Sequence, residues 1–283
     1  MGASERWRRA PAHLAAFIAI VGKAWRMQWR EGWFWQIGIL GALTLTLPVV
    51  LNARALAGPD ESQAARFAAV AGTDNYLAFT AVGIVVMAWV GGIMQTVATA
   101  LATERNLGTL GAAWTTLTPR TLLLAADATG RALTQTWFGV VMFATVWVLV
   151  RFELTVVPAA LVLVMLTALI ASIAVGVFMV GFIIRYRDAG MLFGVAMVAS
   201  GVLAGIAYPT TVLPVWAQAV GHALPVTWIA RGLRAALVYG DAAEAYLAAA
   251  ILLGMALVFG IVGLRLFARL ERAARRRGLL EAI

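Results

Sequence analysis

Long apolar stretches, separated by short charged or proline-containing segments, dominate the pattern along this chain of 283 residues. A helix needs about 20 mostly apolar residues to cross the roughly 30 Å hydrocarbon core of a membrane. Six stretches approach or exceed that length: residues 33–51, 77–102, 132–150, 154–184, 191–208 and 246–267. The pattern therefore predicts an all-α polytopic membrane protein with six spans in a single transmembrane domain, residues 1–283, and with both termini on one side.

A seventh apolar patch is too short to span and is broken by Pro214 and Pro225. Proline removes a backbone hydrogen-bond donor and interrupts a helix. Non-helical backbone within the membrane is tolerated only where it is buried in protein or lines a cavity. Residues 209–228 are therefore predicted to form a re-entrant hairpin between the fifth and sixth spans, with Pro209 at its first turn. The alternative is a segment that lies in the membrane interface.

The segment before the first span, residues 12–31, divides into two faces at helical spacing. The apolar face contains Leu14, Phe17, Ile18, Val21, Trp25 and Trp29, and the basic face contains Lys23, Arg26 and Arg30. A helix with this division lies in the membrane interface, so the segment is predicted to be an elbow helix. The alternative is an extension of the first span whose basic side chains snorkel to the headgroups.

The composition supports a membrane location, because 63% of the residues are hydrophobic and only 12% are charged. A soluble domain has about 45–50% apolar and about 25% charged residues. The chain contains no Cys, and its only histidines, His13 and His222, are isolated, so no metal or cofactor site is predicted.

The net charge of +9 follows the predicted topology. Of the 22 Lys and Arg residues, all but five lie in the N-terminal segment, the second-to-third and fourth-to-fifth loops and the C-terminal tail. The positive-inside rule places these segments, and both termini, on the cytoplasmic side of the membrane. The chain is thus predicted to be a multi-pass protein of the cell (inner or plasma) membrane. The basic residues are therefore explained by the membrane topology, and no binding to nucleic acid is predicted.

The cytoplasmic stretch 103–119 leaves the second span with charges, contains Gly108, and changes direction at Pro119 before the third span. From these residues alone, a plain positively charged hairpin and a docking loop are equally compatible with the pattern.

The sequence Glu104-Arg105-x-x-Gly108-Thr109-Leu110, followed by Thr118-Pro119-Arg120, resembles the cytoplasmic loop of the type-two ABC exporter permeases. A second group of residues resembles the fifth span and re-entrant hairpin of that family: Gly201, Gly205, Tyr208, Pro209, Leu213, Pro214, Trp216, Leu224, Pro225 and Arg234. With the elbow and six spans, the resemblance covers nearly the whole chain. One departure is Gly111, where many members have Glu.

The resemblance implies that stretch 103–119 is a coupling loop that docks on a separate ATP-binding cassette ATPase. It assigns this contact to Glu104, Arg105, Gly108, Thr109, Leu110 and Pro119, and an external gate to Tyr208, Pro209, Pro214, Trp216 and Pro225. It also implies a second permease, identical or homologous, with the second and fifth spans lining the path. The only lysine, Lys23, lies outside any phosphate-loop motif, so ATP and magnesium are expected on the ATPase and no catalysis in this chain alone.

A polar stripe recurs every fourth residue along the second helix, at Gln95, Thr99 and Thr103, and it either lines a path or bonds neighbouring helices. Gly201 and Gly205, like Ser172 and Gly176, are spaced for close helix packing and are further candidates for the path. A path with so few polar groups suits an amphipathic or lipidic, drug-like substrate.

Charged groups near the spans point to local pairing. Asp127 and Arg131 are predicted to form an ion pair, and Arg231 and Arg234 to snorkel and pair locally rather than contact an anionic substrate or headgroup. Because no unpaired charge lies deep in a span, an ion-coupled secondary carrier is the alternative rather than the leading hypothesis.

Overall fold

A computed structural model describes residues 3–30, 40, 41, 43, 44, 47, 62–73, 75–100, 120–185 and 189–276. Every regular element within these ranges is helical, so the all-α prediction is confirmed. We number the α-helices of the described residues in chain order. They are α1 (Ala3–Arg30), α2 (Ser62–Ala71), α3 (Tyr76–Ala98), α4 (Arg120–Val150), α5 (Pro158–Arg185), α6 (Ala189–Leu203), α7 (Val215–His222), α8 (Pro225–Arg234) and α9 (Ala242–Arg276).

Four of the described helices contain a segment long and apolar enough to cross a membrane. The segments are Tyr76–Ala98, Leu122–Val150, Pro158–Val180 and Ala242–Arg269, and they correspond to the predicted second, third, fourth and sixth spans. The predicted first span, residues 33–51, lies almost entirely outside the described residues. The count of six spans therefore stays a prediction.

The predicted fifth span, residues 191–208, is a shorter helix than expected. Helix α6 has 15 residues and ends at Leu203, which gives it a length of about 22 Å at 1.5 Å per residue. It ends there because Gly205 has a φ of +64°, in the left-handed region that terminates helices. The last residues of the apolar stretch form a turn.

The start of α5 also depends on tertiary contacts. Residues 151–157 are not helical, and the backbone N–H groups of Thr155 and Val157 donate to the carbonyls of Leu237 and Ala236, both at 2.9 Å. The helix then begins at Pro158, a position that suits proline because the first N–H of a helix has no partner within it. The predicted span, which started at residue 154, is thus shortened by four residues.

Small residues allow the helices to approach closely. A Cβ on Gly176 of α5 would lie 2.7 Å from the Cβ of Val97 of α3, and one on Gly263 of α9 would lie 2.8 Å from the Cα of Phe178 of α5. Such contacts stabilise helix pairs in membranes through van der Waals packing. The predicted packing role of Gly176 is confirmed. The largest fully buried side chains of the described residues include Ile93 of α3, Met142 of α4, Ile229 of α8 and Leu252 of α9.

Helix α1 begins at Ala3, before the predicted elbow start at residue 12, and packs against α4. Gly130 lies in this contact, and a Cβ there would lie 2.6 Å from the Cβ of Ala24. Lys23 and Arg26 are exposed, and Leu14 is 62% exposed, which matches a helix with one basic and one apolar outward face. Its position in the membrane interface stays a prediction.

Candidate functional site

The predicted gate residues lie at one end of the helix bundle, which we call the hairpin end. Here the start of α3, the segment 151–157, the end of α6 and helices α7 and α8 meet. The side-chain amide of Asn75 donates to the Glu153 carbonyl at 3.0 Å, and the Tyr239 hydroxyl donates to the Ala71 carbonyl at 2.8 Å. These bonds join segments that are far apart in sequence, so the hairpin end is one packed structure.

Residues 204–209, which we call the α6 turn, reverse the chain after α6. At Gly205 a Cβ would lie 2.7 Å from the Tyr208 carbonyl oxygen and from the Thr210 Cγ2, in addition to the positive φ. The Tyr208 hydroxyl donates to the Val202 carbonyl at 2.7 Å and so satisfies a group at the end of the helix. Gly205 is buried, and the backbone conformation at this position requires glycine. Its predicted role in lining the path stays a prediction.

Each predicted hairpin proline stands at the start of a helical segment. Pro209 precedes a short 3₁₀ helix, Thr210–Val212, Pro214 is the N-cap of α7, and Pro225 is the first residue of α8. Proline suits these positions because its fixed φ is helical and its missing N–H would have no partner there. After α8, one π-helical turn, Ala235–Tyr239, leads to α9, so helical structure continues beyond the predicted hairpin boundary at residue 228.

Helix α7 rests on the end of α6 and exposes its other face. A Cβ on Gly221 would lie 2.5 Å from the Leu203 carbonyl oxygen, and the Thr227 hydroxyl donates to the Gly221 carbonyl at 2.6 Å. The exposed face carries Trp216, which is 68% exposed, next to Val215. An exposed Trp suits the predicted anchor at headgroup depth, which stays a prediction.

Arg234 is buried at the centre of the hairpin end, with 5% of its surface exposed. Its Nη2 donates to the Ile206 carbonyl at 2.6 Å, its Nη1 to the Gly205 carbonyl at 3.0 Å and its Nε to the Phe79 carbonyl at 3.2 Å. Its Cζ also lies 3.5 Å from the centroid of the Phe79 ring. The prediction that Arg234 snorkels is therefore wrong, because carbonyls of the α6 turn and of α3 bind the guanidinium inside the protein.

Gly83 makes this arrangement possible. A Cβ at this position of α3 would collide with the Ile206 carbonyl oxygen and would lie 2.5 Å from the Arg234 Nη2. The α6 turn can therefore lie directly on the backbone of α3, which brings its carbonyls within reach of the guanidinium.

For Arg231, three residues before Arg234, the predicted local pairing is confirmed, and its snorkelling stays a prediction. It forms an ion pair with Glu244 at the start of α9, and its Cζ lies 5.1 Å from the centroid of the Trp228 ring. The predicted pair of Asp127 and Arg131 is also present, at 2.7 Å.

The sequence contains no local signal that separates the two arginines of α8. The buried Thr227 lies seven residues before Arg234 but also four residues before Arg231, so helical spacing places both arginines near that residue. The burial of Arg234 follows instead from its tertiary partners.

Helices α3 and α6, the predicted path-lining spans, are neighbours. A Cβ on Gly201 of α6 would lie 3.2 Å from the terminal methyl of Met87, and a Cβ on Gly91 of α3 would lie 2.9 Å from that of Met197. The predicted packing role of Gly201 is thereby confirmed. Of the predicted polar stripe, Gln95 is exposed, and the Thr99 hydroxyl donates to the Gln95 carbonyl at 2.8 Å.

An apolar cavity of about 190 Å³ lies among α3, α4, α5 and α8. Its polar groups are bonded to each other, since the Trp89 Nε1 donates to the Thr136 hydroxyl at 3.1 Å, which in turn donates to the Ala132 carbonyl at 2.8 Å. The remaining wall is hydrocarbon and includes Val82, Val86, Phe143, Leu161, Met165 and Leu237. A cavity of this chemistry accepts an apolar group and offers a polar one no partner.

The predicted coupling residues, Glu104, Arg105, Gly108, Thr109, Leu110 and Pro119, lie outside the described residues. The stretch that contains them connects the end of α3 to the start of α4. Within the described part of the chain, no group of three or more His, Asp or Glu side chains is placed to hold a metal ion.

The chain matches the model of a known protein family. The family model of the ABC-2 type transporter matches residues 15–238, from α1 through the predicted coupling stretch to the π-helical turn after α8. The comparison with curated proteins found no match. Because the family model covers most of the chain, the protein belongs to the ABC-2 type transporter family as a membrane subunit.

Proposed function

We propose that the chain is the membrane subunit of an ATP-driven exporter, in which two permeases form the path and separate ATPase subunits supply the energy. The observation that carries this proposal is the family match over residues 15–238, which includes both the predicted coupling stretch and the hairpin. The sequence contains no phosphate loop, so ATP and magnesium belong to the ATPase. Both termini are cytoplasmic in this proposal, in accord with the charge distribution.

The chemistry of the walls supports an amphipathic or lipidic, drug-like substrate. The cavity behind Trp89 is almost entirely hydrocarbon, and the contact between α3 and α6 is made by Met and Gly side chains. Methionine side chains are flexible and adapt to apolar surfaces of different shape. Such surfaces favour an apolar group over a strongly hydrated ion or sugar.

The fold suggests how motion at the ATPase reaches the opposite end of the membrane. Helix α3 has 23 residues, about 35 Å at 1.5 Å per residue, and joins the predicted coupling stretch to the hairpin end. A rigid helix that is displaced at one end moves at the other. In this mechanism the ATPases move the coupling loops, and α3 carries the motion to the hairpin.

The coupling assignment is tested by Glu104→Ala together with Arg105→Ala. This double variant should insert normally but reduce ATPase association by roughly tenfold, because charged contacts across an interface contribute about that much or more. Association is measured by co-purification, and coupling by the ATPase activity of the complex in vesicles.

The matched control is Arg231→Ala with Glu244→Ala, which removes one acid and one arginine from the hairpin end. It should leave ATPase association unchanged. Equal association for the two double variants and the wild type would refute the coupling assignment.

A further inference from the structure

We infer that Arg234 is the positioning residue that fixes the α6 turn to α3, so that these two elements and α8 move as one unit. The inference about geometry stands on the contacts of Arg234 itself. Its consequence for transport rests on the proposed function.

Arg234 binds two elements at once. Its Nη1 and Nη2 donate to adjacent carbonyls of the α6 turn, and its Nε and aromatic contact are to Phe79 of α3. These groups belong to segments more than a hundred residues apart in sequence. A guanidinium is planar and presents its donors in a fixed fork, so it sets the relative orientation of the two segments as well as their separation.

The two α6-turn carbonyls that Arg234 binds do not belong to a regular helix. Gly205 has a positive φ and Ile206 follows the end of α6, so neither carbonyl continues the i to i+4 pattern of the helix. A carbonyl left without a donor in an apolar environment is costly. The turn is therefore stable in this conformation as long as the arginine remains in place.

Helix α3 and the α6 turn are in direct backbone contact. Gly83 allows the Ile206 carbonyl to lie on α3, and Arg234 closes the contact from the α8 side. We call this three-way contact of Arg234, the α6 turn and α3 the joint. Separation of the two elements would break either the two hydrogen bonds to the α6 turn or the hydrogen bond and ring contact to Phe79.

The distance between α3 and the α6 turn tests the joint directly. Cysteines are introduced by Gln95→Cys on α3 and Ala207→Cys in the α6 turn, both at exposed positions. Because the chain has no Cys of its own, spin labels attach only at these two sites. Gln95 lies about 24 Å along α3 from Phe79, so the distance between the labels reports on the orientation of this section of α3 relative to the α6 turn. The purified chain is studied in vesicles of phosphatidylethanolamine and phosphatidylglycerol by pulsed electron spin resonance.

The wild type should give one narrow distance distribution, and Arg234→Met a broad one. Gly83→Ala should broaden it as well, since the added methyl displaces the turn without removal of a charge. Arg234→Lys should also broaden it, because an ammonium cannot replace the fork. The matched control Arg231→Met removes an arginine from the same helix and should leave the distribution narrow.

A wild-type distribution in Arg234→Met would overturn the inference, as would a wild-type distribution in Arg234→Lys, which would show that charge alone suffices. If Arg234→Met does not fold, the lysine variant and Gly83→Ala decide the question in the same way.

The consequence for transport is measured separately with a fluorescent phospholipid and the ATPase complex. Arg234→Met should lower the lipid moved per ATP hydrolysed by about tenfold, the effect expected from loss of charged hydrogen bonds, while Arg231→Met should not. An unchanged ratio would refute the transport role. If the wild-type complex moves no lipid on ATP, the proposed function fails for this substrate, and the distance distributions still decide whether the joint exists.

Discussion

At the scale of single residues, glycines with specific backbone or packing roles determine the shape of the hairpin end. Gly205 has a positive φ and no room for a Cβ, whereas Gly194, in the same apolar stretch, is exposed in α6 with no atom within 4 Å of a built Cβ. The two glycines therefore provide a test of the α6 turn.

We expect Gly205→Ala to lower the free energy of unfolding by about 1–3 kcal/mol, because an L residue is strained at this φ. Gly194→Ala should leave it unchanged or raise it by up to about 1 kcal/mol, because Ala is favoured over Gly in a helix. The measurement is equilibrium unfolding of the purified protein in mixed micelles. Equal stabilities for the two variants would contradict the assigned role of Gly205.

The proline positions were predictable from the sequence, whereas the partners of Arg234 were not. Proline carries its conformational preference in its own ring, so Pro214 and Pro225 indicate turns wherever the chain takes them. The environment of Arg234 is made by Phe79, Gly205 and Ile206, and no local pattern brings these residues together. Burial of an arginine depends on tertiary structure, which the sequence pattern does not contain.

At the scale of elements, the contact between α1 and α4 determines where the N-terminal helix lies. We expect Gly130→Ala to displace α1, because the new methyl would lie 2.6 Å from the Cβ of Ala24. Gly22→Ala is the matched control, since its Cβ meets only the Arg26 guanidinium, at 3.9 Å. Hydrogen exchange of the amides of residues 13–26 should be roughly tenfold faster in Gly130→Ala, as expected for an overpacked contact.

No difference between these two variants would show that α1 does not depend on α4 for its position.

The apolar stretches predicted which segments are spans better than they predicted where helices end. Four predicted spans correspond to helices because length and composition are local properties. The end of α6 and the start of α5 are instead fixed by Gly205 and by hydrogen bonds from residues 151–157 to the π-helical turn after α8. Hydropathy contains no information about such partners.

At the scale of the whole molecule, the proposed orientation rests on the charge distribution and is open to a direct test. A membrane-impermeant maleimide should label Asp60→Cys and Ala243→Cys in intact cells, and should label Leu117→Cys only after the cells are broken. No native cysteine has to be replaced before these single-cysteine variants are made, because the chain contains no Cys. Labelling of Leu117→Cys in intact cells would reverse the assigned orientation.

The hairpin should matter for transport more than for assembly. Pro214→Ala and Trp216→Ala should lower ATP-driven transport while the amount of assembled complex stays near the wild-type level, because Trp216 is exposed and Pro214 begins α7 without a side-chain hydrogen bond. Ala219→Gly, at another exposed position of α7, is a control for general loosening of this helix. Wild-type transport in both hairpin variants would remove the gate assignment and leave the exporter proposal intact.

The central claim is that this membrane subunit works only with an ATPase, and reconstitution measures it most directly. Vesicles that contain the chain alone should move no fluorescent phospholipid or amphipathic dye under a proton or sodium gradient. Vesicles that contain the chain with its co-purified ATPase should move at least one of these probes when ATP and magnesium are added. Gradient-driven transport by the chain alone would contradict the account and favour an ion-coupled carrier.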